Sequence, residues 1–143
     1  MRKSETGFTL IEVMVVVVIL GILAAIVVPR VMSRPDEARV LKAQQDLRAI
    51  GSALDLYKLD NFRYPSTDQG LAALVERPPD LAEGASWKSD GYLDRLPRDP
   101  WGGEYLYLQP GENGAYDLYS HGADGALGGE GIDADIGNWD LDR

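Results

Sequence analysis

Cysteine is missing from all 143 residues of the chain. That excludes disulfide staples, thiol nucleophiles, thiolate metal sites and thiol redox chemistry. Something else must fasten the loops, or the domain must rely on its core. Histidine is nearly missing too: His121 is the only one. One imidazole argues against a histidine-built metal or catalytic cluster. Positive charge is also scarce, with 14 Lys and Arg against 23 Asp and Glu and a net charge of -9. Arg2, Lys3 and Glu5 give residues 1–7 a charge of +1, so the remainder sums to -10. Such an acidic chain argues against nucleic acid and anionic lipid as partners. It fits a divalent cation or a basic partner. An A-x-A cleavage site is absent before Pro29, and the apolar run there exceeds the roughly 7–15 residues of an ordinary secretory signal.

That run is what the chain has instead. From Phe8 to Val28 nearly every residue is apolar, close to the ~20 residues that span a bilayer as a helix. Only Thr9, Glu12 and Gly21 interrupt it. The basic leader of Arg2 and Lys3 places the N-terminus in the cytoplasm by the positive-inside tendency, and the rest of the chain beyond the membrane. Glu12 is the anomaly, since a carboxylate within such a segment costs about 3 kcal/mol on insertion scales. Two readings stand. In one, Glu12 favours the unpaired N–H groups and dipole of a helix start. In the other, a cut between Gly7 and Phe8 frees an α-amine one helical turn away. Glu12 then neutralises that amine, its own or a neighbouring subunit's, and the buried charge becomes an assembly signal.

Downstream, Pro29 and Pro35 disturb the helix, and the residues between them include Arg30 and Arg34, which suit a membrane interface by snorkelling. Val40, Ala43, Leu47, Ile50, Leu54 and Tyr57 then recur at spacings of three and four. This is one apolar stripe of a helix, a core seam rather than a partner-binding face, expected to stop near Asp60-Asn61. We expect one long kinked helix across both prolines. Residues 61–99 form a long connection holding a short helical piece over Leu71 to Glu76, capped by Ser66, Thr67 or Asp68. The connection should pack through Phe62, Tyr64, Leu71, Leu74, Trp87, Tyr92 and Leu96. Tyr105 to Leu108 and Ala115 to Tyr119 read as a hairpin around Pro110 to Gly114. The fold class is therefore α+β: a long kinked N-terminal helix, its first half membrane-spanning, packed on a small antiparallel sheet.

Ser120 to Trp139 is rich in glycine and acid. Calcium takes about 6–8 oxygens from carboxylates and carbonyls, and Asp124, Asp133 and Asp135 carry the charge for it. The acids do not follow EF-hand spacing. A mobile solvated loop is the competing reading of the same composition.

Gly7-Phe8-Thr9-Leu10-Ile11-Glu12-Val13, behind a short basic leader and ahead of the apolar helix, resembles the type IV pilin-like signature. The resemblance implies that a prepilin peptidase cuts after Gly7 and methylates Phe8, and that Glu12 serves assembly. Asp99-Pro100-Trp101-Gly102, Tyr119-Ser120-His121-Gly122-Ala123-Asp124-Gly125 and Asp133-Ala134-Asp135-Ile136-Gly137-Asn138-Trp139 further resemble the major pseudopilins of type II secretion systems. Those pseudopilins bind calcium in this loop, where true type IV pilins usually carry a disulfide, and the lack of cysteine agrees. The resemblance carries the ligand role to Asp124 and Asp135. Asp133 fills a further acid's place, shifted by one residue through Ala134. The carbonyl oxygens of His121, Ala126 and Gly131 complete the implied set. It also implies a leader over 1–7, a transmembrane half-helix over 8–28 and a periplasmic domain over 29–143. The implied role is a structural subunit, not an enzyme, in a filament on the inner membrane that helps drive proteins across the outer membrane. Implied partners are other copies of itself, minor pseudopilins, the prepilin peptidase and the inner-membrane secretion platform, with no nucleic acid. The rivals are a type IV pilin of a surface fibre and a membrane-tethered hydrolase using Asp124, Asp133 and Asp135 with a metal. The latter lacks an evident nucleophile–base pair.

Overall fold

The structure, a computed structural model, describes residues 7–32 and 34–142. The leader's Arg2, Lys3 and Glu5 lie outside these, as do the side chains of Arg30 and Arg34. The chain divides after Asp36 into two compact units.

The first unit carries helix α1, Leu10–Met32. It is built from Val, Ile, Leu and Ala and runs through Pro29. Leu10–Val27 has a mean hydropathy of 3.1 and none of that window is buried. By length and composition α1 can cross a bilayer. Helix α2 spans Arg34–Asn61. The joint between α1 and α2, where a kink is expected, falls at Ser33, outside the described residues.

In the second unit the apolar stripe of α2 is the centre of the core. Ala43, Leu47, Ile50, Leu54 and Tyr57 are at most 1% exposed, as the spacing requires. Leu47, Ile50, Leu54 and Tyr57 pack with Leu71, Leu74, Leu81, Tyr92, Tyr105 and Leu118. Helix α2 ends at Asn61, where Phe62 adopts a left-handed φ of 61°. This reversal leaves Phe62 91% exposed, so it does not join the core with the other aromatics of the connection. Leu96 is also part-exposed, at 37%.

Strand β1, Leu106–Leu108, pairs antiparallel with β2, Asp117–Ser120, with Tyr107 opposite Leu118. A third strand, β3 at Ile136–Gly137, pairs with the other edge of β2. It was not expected, because two residues inside a glycine-rich acidic stretch carry no strand period. Leu118 turns to the α2 stripe, and Tyr105 just before β1 donates its hydroxyl to Asp46 on α2 at 2.7 Å.

Hydrogen bonds do the fastening that disulfides would do elsewhere. Trp87 donates its indole N–H to the Ala73 carbonyl at 2.9 Å. Tyr92 and Leu93 donate their backbone N–H groups to Leu74. Thr67 Oγ1 donates to the Gln109 carbonyl at 2.9 Å and accepts from the Gln109 N–H at 2.8 Å. The short helix of this connection is a 3-10 turn, Leu71–Leu74, preceded by Gly70 with no side-chain cap. Ser66 instead caps the turn before it. Its hydroxyl accepts from Gln69 N–H, while Gln69 Oε1 accepts from Ser66 N–H.

Candidate assembly face and candidate cation loop

The N-terminal residues form a helix start rather than a helix interior. Residues 7–9 precede α1, and the Thr9 side-chain oxygen accepts the Glu12 backbone N–H at 3.3 Å. Thr9 is thus an N-cap, and Thr-x-x-Glu is the spacing of a capping box. That signal is present in the sequence, at the head of the apolar run. Glu12 sits in the first turn, with the carboxylate where the helix dipole favours it. Phe8 is 83% exposed. From Phe8 to Val27 every side chain is exposed, so this stretch is open to lipid or to other copies.

The loop after β2 is folded around glycines and carbonyls. Gly122 has φ +72°, and a Cβ there would lie 2.7 Å from the Ile132 carbonyl oxygen and 2.8 Å from that of Ala134. Only glycine permits both the left-handed backbone and this approach. Ala123 N–H donates to the same Ile132 oxygen at 2.8 Å. Residues Gly131–Asp133 make a 3-10 turn, in which Gly131's carbonyl accepts from Ala134 N–H.

The three acids fall in different settings. Asp124 is exposed and accepts the Ala126 N–H on Oδ1 at 3.0 Å, a local Asx turn. Asp135 is half-buried. Its Oδ1 faces His121 Nδ1 at 3.1 Å, and its Oδ2 accepts from Gly128 N–H at 3.0 Å. Asp133 lies between, at the end of the 3-10 turn. Among the described residues, no three acidic, histidine or cysteine side chains converge as a metal site. The side chains of Asp124, Asp133 and Asp135 nonetheless offer only hard carboxylate oxygens. That chemistry suits calcium and not a softer ion.

Sequence reasoning missed two residues that build this end of the molecule. Asn138 completes the sheet beyond β3. Its Oδ1 accepts from Leu118 N–H at 3.0 Å and its Nδ2 donates to the Tyr116 carbonyl at 3.2 Å. Asp99 is buried at 7% exposure and binds Ser120, itself fully buried, at 2.8 Å. The Asp-Pro-Trp-Gly turn was legible, but not the reach of Asp99 across to β2.

An exposed apolar helix opening on a capped acid, joined to a small α+β unit, defines a membrane-anchored subunit of the pilin-like class. Residues 2–28 match the prokaryotic N-terminal methylation motif. Residues 30–139 match the family described as Type II secretion system (T2SS), protein G, and the chain belongs to that family. The type II secretion system core protein G of Pseudomonas aeruginosa is 64% identical over 139 residues, 97% of this chain and 98% of the relative. That of Vibrio cholerae is 56% identical over 141 residues, 99% of this chain and 95% of the relative. The crystal structure of the major pseudopilin from the type 2 secretion system of enterohaemorrhagic Escherichia coli matches with a TM-score of 0.67 and 49% identity. The match covers 79% of this chain and 96% of that one.

Proposed function

We propose that the chain is the major subunit of a type II secretion pseudopilus, a homopolymeric filament raised from the bacterial inner membrane to help drive protein export. The observation that carries this is the Leu10–Val27 stretch of α1, apolar and unburied, entered through one acid in its first turn. The helix start accommodates Glu12, but a simple anchor does not require a charge in its membrane segment. In a filament, Glu12 neutralises the α-amine that cleavage leaves on a neighbour's Phe8. The leader is 1–7, residues 8–28 lie in the bilayer before assembly, and 29–143 stand in the periplasm. The protein acts as a structural subunit and not as an enzyme; its own chemistry is to be cut and methylated by the prepilin peptidase at Gly7-Phe8. Minor pseudopilins and the inner-membrane platform are its further partners.

Calcium belongs to the same reading. Asp124, Asp133 and Asp135, with the carbonyl oxygens of His121, Ala126 and Gly131, would hold the ion. Bound there, it supplies charge neutralisation that three acids in one glycine-rich loop need in order to stay together. The processing half is tested by mass spectrometry of the membrane-inserted protein from cells carrying the peptidase. Loss of Met1 to Gly7 and gain of one methyl is expected; an intact N-terminus refutes it. The calcium half is tested by metal analysis of the purified chain, with one calcium per chain expected and none refuting it.

A further inference from the structure

We propose that Asp99, acting through Ser120, is a positioning residue for the loop of residues 121–135 and sets its affinity for a cation that neither residue touches. The inference rests on the calcium reading above. Asp99 is fixed before it reaches Ser120. Its Oδ1 accepts from Gly103 N–H at 2.6 Å and from Trp101 N–H at 3.1 Å, and its own N–H donates to the Gly103 carbonyl at 3.1 Å. Its Oδ2 accepts the Ser120 hydroxyl at 2.8 Å. That uses the one proton of Ser120, so Ser120 Oγ is left as an acceptor, and it accepts from Gly122 N–H at 3.2 Å. The direction of every bond in the chain is therefore forced. Gly122, so held, lies against the carbonyls of Ile132 and Ala134. Those two carbonyls bracket Asp133, and Ala134 precedes Asp135.

The carboxylate is more than the turn requires. Closing Asp-Pro-Trp-Gly takes one oxygen, which asparagine would supply equally. All of Asp99's partners among the described residues are neutral, and a buried charge with neutral partners is costly. What the charge adds is a strong bond from Oδ2 to the Ser120 hydroxyl. That bond orders the entrance of the loop before any ion arrives. A loop already ordered loses less freedom on binding.

The test uses the full chain in detergent micelles. Calcium titration calorimetry is run on the wild type, Asp99→Asn, Ser120→Ala and the double variant, well below their melting temperatures. Asp99→Asn keeps the oxygen that closes the turn and removes the charge facing Ser120. Each single variant is expected to raise the Kd about tenfold or more, the usual cost of losing an outer partner of a metal site. The double variant should be no weaker than either single, since both break one chain of bonds. Leu74→Ala, in the core and away from the loop, lowers the melting temperature and leaves Kd unchanged. Hydrogen exchange in chelator supplies a second readout. The Ala123 amide should exchange faster in Ser120→Ala, while the β1–β2 amides keep their wild-type order of protection. An unchanged Kd in Asp99→Asn and Ser120→Ala overturns the proposal. If the wild type takes up no calcium, the calcium reading falls separately. Exchange then decides alone, and an unchanged Ala123 amide overturns the relay.

Discussion

Single polar side chains close the backbone of this protein where strands run out. Asp117, 4% exposed, accepts from the N–H groups of Glu112 and Asn113 and from Asn113 Nδ2, and so holds the hairpin loop. Asp117→Ala strands those donors, at a cost of about 1–3 kcal/mol in a chemical melt. Tyrosines make the opposite use of acids. Burial, then the hydrogen bond to Asp60, pushes the Tyr92 hydroxyl up to about 12 from 10.0. Burial and Asp55 do the same for Tyr64, also to about 12. Between those values the unfolded chain has released protons that the folded chain keeps. The folded state thus binds more protons, and stability falls as pH rises from 10 towards 12. Ultraviolet titration of tyrosinate should show these rings ionising late and together with unfolding. Ionisation near the ordinary value in a folded protein would contradict it.

At the scale of elements, the sequence was most legible where one period ran long. The α2 stripe repeats over five turns, so its buried residues could be named in advance, and Leu54 at its centre is fully buried. Leu54→Ala should cost about 2–5 kcal/mol with an unchanged denaturant slope. Leu59→Ala, on the outer face at 72% exposure, should fall within about 0.5 kcal/mol of wild type. Legibility failed where structure depends on partners far along the chain. Strand β3 exists because Tyr119 and Ser120 offer an edge to Gly137 and Ile136, with Trp139 folded over Gly137. Phe62 read as core because it is aromatic, yet the backbone reversal at the end of α2 turns it to solvent. The acids of the candidate loop were visible by composition. The forced bonds from Asp99 through Ser120 to Gly122 were not, since 21 residues separate the first pair.

The whole molecule divides its labour between an apolar helix and an acidic domain whose core needs no cross-link. Calcium in the loop should raise the melting temperature of the full chain over that in chelator. Binding to the folded state adds about 2.7 kcal/mol at a hundredfold excess over Kd. Asp124→Ala should remove the shift and leave the melting temperature in chelator nearly unchanged; Asp135→Ala should remove it too and also lower the melting temperature in chelator, because its bonds to His121 and Gly128 are lost. Magnesium should substitute poorly, because it demands tight octahedral geometry and keeps its waters. Equal melting in both conditions would contradict the calcium reading. In the proposed filament, assembly rests on Glu12. Its removal takes a charge out of the membrane segment, so Glu12→Ala should insert and be cleaved as well as the wild type. It also leaves a neighbour's Phe8 amine without a counter-charge, which costs roughly 3–5 kcal/mol where such a pair is buried. The direct measurement is the fraction of cleaved chain recovered as sedimentable filaments from cells carrying the secretion genes, wild type against Glu12→Ala. Abundant wild-type filaments with Glu12→Ala at background are the expected result; equal recovery of the two would contradict it.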